Sequence, residues 1–365
     1  MRKTIHGIKL GSNYSVGYGV GIDPENPKST GPRVELTCIA EVPAHLLEKD
    51  INYIFSREAD LYHNAKYPLE YGLPKGDTPA ERLSSVGLLR TFNNWFLQGI
   101  PEETGIVYCL PMMKYQEGLN NLKTTLNKQK KGTIGKRYIM EAWAAALATV
   151  GIQESLRSQV ISLNFGSSTL EVVLYVGKKM IAQNVYPFGG MRIDNELQSA
   201  ISQANRGIHV TESQARTVKE QYDFAKKKAV PGLFTKDGKL VNREVTSDVI
   251  DPVLQEFASD VANHVARYFL RDAARKSQKA VSAIQTEGMG YVCICGGLSN
   301  MPGFPELVAE EMKKSGALNP DLKVSYPTDP DGVTAPAYGA LQLADLLEEQ
   351  RENSGLSSWD DKPKK

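Results

Sequence analysis

The chain has 365 residues, 41% of them hydrophobic, and its 43 basic side chains stand against 42 acidic ones for a formal net charge of +1. That length can bury two sizeable cores, so two domains are expected, while the near-neutral balance gives no electrostatic footprint for nucleic acid. No apolar run approaches the roughly 18 residues of a membrane span, and the opening Met1-Arg2-Lys3-Thr4-Ile5-His6 runs straight into a strand pattern, which leaves no room for a signal peptide and points to the cytoplasm.

In chain order, residues 5–24 read as paired strands, followed by a breaker-rich loop from Pro24 to Pro32 and a strand over Glu35 to Val42. Residues 44–84 mix short helical signals with Pro68, Pro74 and Pro79, the pattern of a small irregular insertion. Apolar spacing predicts a helix over Leu83 to Leu97, a buried strand over Gly105 to Leu110 and a helix over Gln116 to Lys128. Gly132 to Tyr138 reads as a connection into a helix over Glu141 to Val150. The second half repeats the scheme, with strands over 160–186 and helices over 191–205 and 211–228. A Gly/Pro/Lys turn region over 230–243, with a hairpin signal at Gly238, and a long helix over 247–275 follow. Residues Glu349 to Lys365 are polar and expected to be disordered, with Trp359 as a docking motif for a protein partner.

Two short segments share one pattern. Ile8-Lys9-Leu10-Gly11-Ser12-Asn13-Tyr14-Ser15 and Leu163-Asn164-Phe165-Gly166-Ser167-Ser168-Thr169-Leu170 each set an apolar run before a Gly-Ser turn and another after it, which reads as a hairpin with a tight, hydroxyl-rich tip. Glycine lets backbone N–H groups approach a ligand closely and the hydroxyls add donors, so each tip suits phosphate oxygens. Repeated in both halves, the pattern suggests a duplicated domain that clamps a nucleotide. Cys38, Cys109, Cys293 and Cys295 fit neither a zinc site nor a disulfide framework. His6, His45, His63, His209 and His264 lack metal-ligand spacing, so no metal site is expected.

The order of these motifs resembles the actin, sugar-kinase and DnaK-type superfamily, and within it the MreB-type bacterial actins, from about residue 5 to 347. Gly7 to Ser15 is similar to the first phosphate motif and Ser162 to Val173 to the second; Glu141 to Ala146 and Thr334 to Ala340 resemble the two connecting helices. Gly189-Gly190-Met191-Arg192-Ile193-Asp194 resembles the glycine pair opening the second excursion, and Thr211 to Lys219 the ribose helix. Val292 to Ser299, with Pro302-Gly303, resembles the adenosine loop. The resemblance implies an α/β, actin-like (ribonuclease H-like) duplicated fold. Its first domain would span 1–150 with a small inserted subdomain at 35–84, and its second 151–348 with one at 191–275. Nucleotide contacts are implied at Lys9, Gly11, Ser12, Asn13, Asn164, Gly166, Ser167, Ser168, Thr169, Gly190, Glu212, Arg216, Lys219, Gly296, Gly297 and Leu298.

Departures from the pattern set the expected chemistry. The family carries an aspartate two residues before each tip glycine to direct Mg²⁺; here those positions hold Lys9 and Asn164. A unit charge at about 4 Å is worth on the order of 4 kcal/mol at an effective dielectric of 20, so exchanging two negative charges for one positive opposes a divalent cation. Lys9 has two open readings, a direct phosphate contact in place of the metal and an ordinary lysine turned to water. Glu141 matches the water-positioning residue, and equally an acidic partner for a helix dipole. Arg216 stands where the ribose glutamate belongs, with Glu212 one turn earlier. The implied function is a filament-forming, self-assembling cytoskeletal subunit that binds ATP or another nucleotide without Mg²⁺ and is a weak ATPase or pseudo-ATPase. The alternatives are a non-polymerising scaffold and, last, a sugar-kinase-type phosphotransferase.

Overall fold

The computed structural model describes residues 5–18, 32–42, 53–112, 116–187 and 189–354. They divide into two units, Met1–Ala148 with Val333–Lys365, and Thr149–Gly332. The first unit contains strands Ile5–Leu10 (β1), Tyr14–Tyr18 (β2), Arg33–Leu36 (β3), Ile39–Glu41 (β4), Tyr53–Phe55 (β5), Leu69–Glu70 (β6), Leu73–Pro74 (β7), Gly105–Leu110 (β8) and Gly135–Met140 (β9). Its helices are Ser56–Asp60 (α1), Pro79–Phe96 (α2), Gln116–Asn127 (α3) and Glu141–Val150 (α4), whose last two residues pass into the second unit. Five strands form its main sheet in the order β3-β2-β1-β8-β9, with β1 antiparallel to β2 and parallel to β8. Every residue of β1 and β8 is buried, as expected of central strands covered on both faces. Helix α2 starts where Thr78 and Glu81 close a capping box and a proline takes the first position. It seats Leu89, Phe92 and Phe96 among Ile8, Ile106 and Tyr108.

The second unit holds Gln159–Phe165 (β10), Leu170–Val176 (β11), Lys179–Tyr186 (β12), Ile208–His209 (β13), Val230–Lys236 (β14), Lys239–Val245 (β15), Tyr291–Gly296 (β16) and Lys323–Ser325 (β17). Its helices are Ile152–Ser155 (α5), Gly190–Ala204 (α6), Glu212–Gln221 (α7), Ser247–His264 (α8), Leu270–Lys276 (α9), Gln278–Gln285 (α10) and Phe304–Lys314 (α11), with one π turn over Val265–Phe269. Its five-stranded sheet runs β12-β11-β10-β16-β17, antiparallel on one side of β10 and parallel on the other. The order and the directions repeat those of the first sheet, so β1–β2 and β10–β11 are topological equivalents. Phe165, Phe257 and Phe304 meet at the centre of this unit's core.

Helix Ala335–Ser354 (α12) packs on β1, β2 and β8. The segment 333–348, expected in the second domain, therefore belongs to the first unit, and the expected tail begins later, because 349–354 extend the helix. Three further expectations are corrected. Gly132 to Tyr138 is not a plain connection, since β9 occupies Gly135–Met140. The 230–243 region is a full β-hairpin, β14 paired with β15 around Gly238. The helix expected to run to 228 stops at Gln221, because Tyr222 turns extended and buries its ring. The Pro24 to Pro32 loop lies outside the described residues apart from Pro32, and His45, Trp359 and the chain from residue 355 lie wholly outside them.

Candidate functional site

The first hairpin joins β1 to β2. Because β1 is buried along its whole length, Lys9 cannot turn to water; it is 8% exposed. Its ammonium Nζ lies 2.8 Å from Glu141 Oε1, on the first residue of α4, where the chain leaves β9. The reading of Lys9 as a solvent-facing lysine is thereby overturned. Its stem also runs beside the tip, with Cε 3.4 Å from where a side chain on Gly11 would begin. Gly11, Ser12 and Asn13 are half-buried and tied down from neighbouring segments. Gly72 N donates to Ser12 Oγ at 2.9 Å, and Thr37 N donates to Asn13 O at 2.8 Å.

The second hairpin joins β10 to β11. Asn164 holds the position equivalent to Lys9 and faces Glu171 across the ladder, donating from Nδ2 to Glu171 Oε2 at 3.3 Å, both side chains buried. Gly166, Ser167, Ser168 and Thr169 form a half-exposed tip that Gly166 N closes on Thr169 O at 2.8 Å. The start of α6 lies against this tip, with Gly190 N donating to Gly166 O at 3.0 Å and Met191 N to Ser167 O at 2.7 Å. Those amides, which a helix N-terminus ordinarily offers to an anion, are already used. A side chain on Gly189 would start 2.5 Å from Gly166 O, so only glycine permits the contact.

Helix α7 and the loop after β16 complete this unit's constellation. Lys219 is buried, with Nζ 2.6 Å from Asp194 Oδ1 and donating to Gly190 O at 3.0 Å. Burial pushes its ammonium below the usual lysine range, and Asp194 only partly opposes this. Arg216 reaches Glu212 at 2.8 Å and Asp194 at 3.4 Å. Burial works against its charge, but the attraction of Asp194 and Glu212 outweighs it and holds Arg216 above its ordinary value. Gly296 takes φ +89°, and a side chain there would begin 2.2 Å from Phe165 O. This close approach lets the chain turn at Gly296, the last residue of β16, into a helical turn over Gly297–Asn300 that carries Leu298.

The structure thus gathers Lys9, Gly11, Ser12, Asn13 and Glu141 in the first unit. In the second it gathers Gly166 to Thr169 with Gly190 at the hairpin, and Glu212, Arg216 and Lys219 on α7; Leu298 lies near Gly190. Sequence reasoning missed two anchors. Asp194 was legible only as the end of the Gly189 motif, and Glu171 is found only by folding the hairpin and reading its cross-strand pair.

The duplicated sheets with paired glycine hairpins define an actin-like fold, and solved structures agree. The chain is similar to a MamK double-helical filament at TM-score 0.71 and 16% identity, covering 93% of this chain and 98% of that one. It is similar to MreB5 of Spiroplasma citri bound to AMPPNP at 0.72 and 12%, covering 98% and 100%, and to MreB5 bound to ADP at 0.70 and 13%, covering 96% and 99%. No curated protein matches the sequence. The family model described as Salactin matches residues 3–348, and the chain belongs to that family.

Proposed function

We propose that this protein is a filament subunit of the cytoplasm that binds ATP or another nucleotide, assembles head to tail and turns the nucleotide over weakly or not at all. The observation that carries the weak turnover is the 2.8 Å pair of Lys9 and Glu141. Magnesium needs hard oxygen ligands and local negative charge, yet an ammonium sits beside the first tip. At the equivalent point of the second lies the neutral amide of Asn164, bonded to Glu171. With their carboxylates engaged by an ammonium and an amide, these positions do not offer the net negative charge a divalent cation needs, so no step is routed through one. The nucleotide itself fits better. Half-exposed tips at Gly11 to Asn13 and Gly166 to Thr169 suit phosphate oxygens, and the turn at Gly296 to Leu298, with Gly297 exposed, is assigned to the base. Glu212 and Arg216 keep exposed side-chain surface and are assigned to the sugar.

Support for assembly comes from the shared fold, since the MamK structure is a filament and the MreB5 structures hold AMPPNP and ADP. Repeated heterologous contacts that do not close produce filaments. Residues 35–84 and 191–275 are taken as the small subdomains, and the chain beyond Ser354, with Trp359, as the attachment point for a protein partner. Sedimentation and negative-stain microscopy in Mg·ATP, in ATP with EDTA and without nucleotide, with phosphate release followed in parallel, test this reading. Equal filament yield with and without magnesium, and scarcely any phosphate, are expected. Magnesium-dependent turnover would overturn the weak-hydrolysis part. Dispersed monomers in all three conditions would overturn assembly and favour a non-polymerising scaffold.

A further inference from the structure

We infer that Glu141 and a nucleotide phosphate compete for the single Lys9 ammonium, so that Glu141 acts as an internal restraint on nucleotide binding rather than as a contributor to it. The inference rests on the proposal that the hairpin tips hold phosphate. Lys9 has its stem beside Gly11, the tip glycine, and its Nζ on Glu141 Oε1 at 2.8 Å. Both side chains are about nine-tenths buried, at 10% exposure each, so water screens their attraction little. A phosphate at the tip offers the same ammonium a second, more highly charged partner within reach of the same stem. One compact ammonium cannot give its closest ion pair to both anions at full strength. Binding therefore gains the Lys9–phosphate attraction but weakens the Lys9–Glu141 attraction and sets a second anion beside the carboxylate, and the apparent affinity reports the difference.

The assignment gives Glu141 a sign opposite to the one a water-positioning residue would have. Replacing it by the isosteric glutamine keeps an oxygen for Lys9 to donate to but removes the competing charge, so the ammonium is released to the phosphate. The restraint is specific to phosphate, since a nucleoside has no anion to compete. It is also specific to Lys9, since without the ammonium there is nothing to compete for.

Titration of the full chain with ATP in EDTA, followed by calorimetry, tests this with four proteins: wild type, Glu141→Gln, Lys9→Gln and the double variant, in which two neutral amides replace the ion pair. Glu141→Gln is expected to bind ATP about tenfold tighter than wild type, Lys9→Gln to bind more weakly, and the double variant to show none of the gain. Adenosine should bind all four alike. Unchanged or weaker ATP affinity in Glu141→Gln overturns the competition while leaving the phosphate reading of Lys9 intact if Lys9→Gln still weakens binding. A gain that persists in the double variant, or that extends to adenosine, overturns it as well. Absence of ATP binding in all four overturns the nucleotide reading itself, and the competition with it. Because the double variant buries no lone charge, a normal melting curve there separates lost binding from lost folding.

Discussion

Lys9 and Glu141 each bring one charge into the interior of the first unit, and removing either takes from the other its ion-pair partner at 2.8 Å. Breaking such a pair from one side costs about 3–5 kcal/mol, whereas exchanging both partners for apolar residues of similar volume is often neutral. Urea unfolding should accordingly show Lys9→Ala destabilised by about 3 kcal/mol or more, and Lys9→Met with Glu141→Leu close to wild type. Equal losses in the single and double variants would mean that packing of the two stems, not the pair, supports the unit. The unusual residues at both hairpins are legible in the sequence, because a lysine and an asparagine stand out against the aspartates of the actin-type pattern that the chain resembles. The partner of Lys9 is not legible. It depends on β9 ending where α4 begins, which delivers Glu141 to the end of β1 from a distant part of the chain.

Helices α6 and α7 are joined by Asp194, which is 1% exposed, through Lys219 and Arg216. Burial lowers the Lys219 pKa from the ordinary 10.5, so between the lowered value and 10.5 the folded chain binds fewer protons than the unfolded one. Stability contributed by this group therefore rises with pH through that window, is complete above the unfolded value and is lost as pH falls through the folded one. The difference in unfolding free energy between wild type and Lys219→Met, measured from pH 8.5 to about 10.5, should shift in favour of wild type as pH rises. A flat difference would mean that Asp194 fully compensates the burial. Most elements with a clear period were readable, including β1, β8, α2, α4 and the β10–β11 hairpin. The turn of the β14–β15 hairpin was legible at Gly238, but the length of β14 was hidden by Pro231 and Gly232, residues that ordinarily break strands. They are tolerated because β13 reaches only Thr235 and Lys236, so β14 is an edge strand at Pro231. Strand β9 was obscured by Lys136 and Arg137, polar positions that the last strand of a sheet accepts.

For the molecule as a whole, the far end of the chain is where the reading from sequence and the structure differ most in consequence. Polar composition over Glu349 to Lys365 hid the continuation of α12 to Ser354, since a helix anchored upstream on β1, β2 and β8 can carry polar residues past its last packed turn. A truncation meant to test recruitment through Trp359 must therefore end at Ser354 and not at Glu348, which would cut into the helix. Removal of residues 355–365 should change unfolding free energy by no more than about 0.5 kcal/mol, and leave sedimentation of filaments as in the full chain. It should also abolish the cellular position of a fluorescent fusion if the tail is the attachment point. The comparison with a chain ending at Glu348 adds a second readout, because loss of stability only there would place the effect in α12. A drop in stability or assembly on removing 355–365 alone would instead mean that Trp359 packs against its own or a neighbouring subunit, and the partner role would fall.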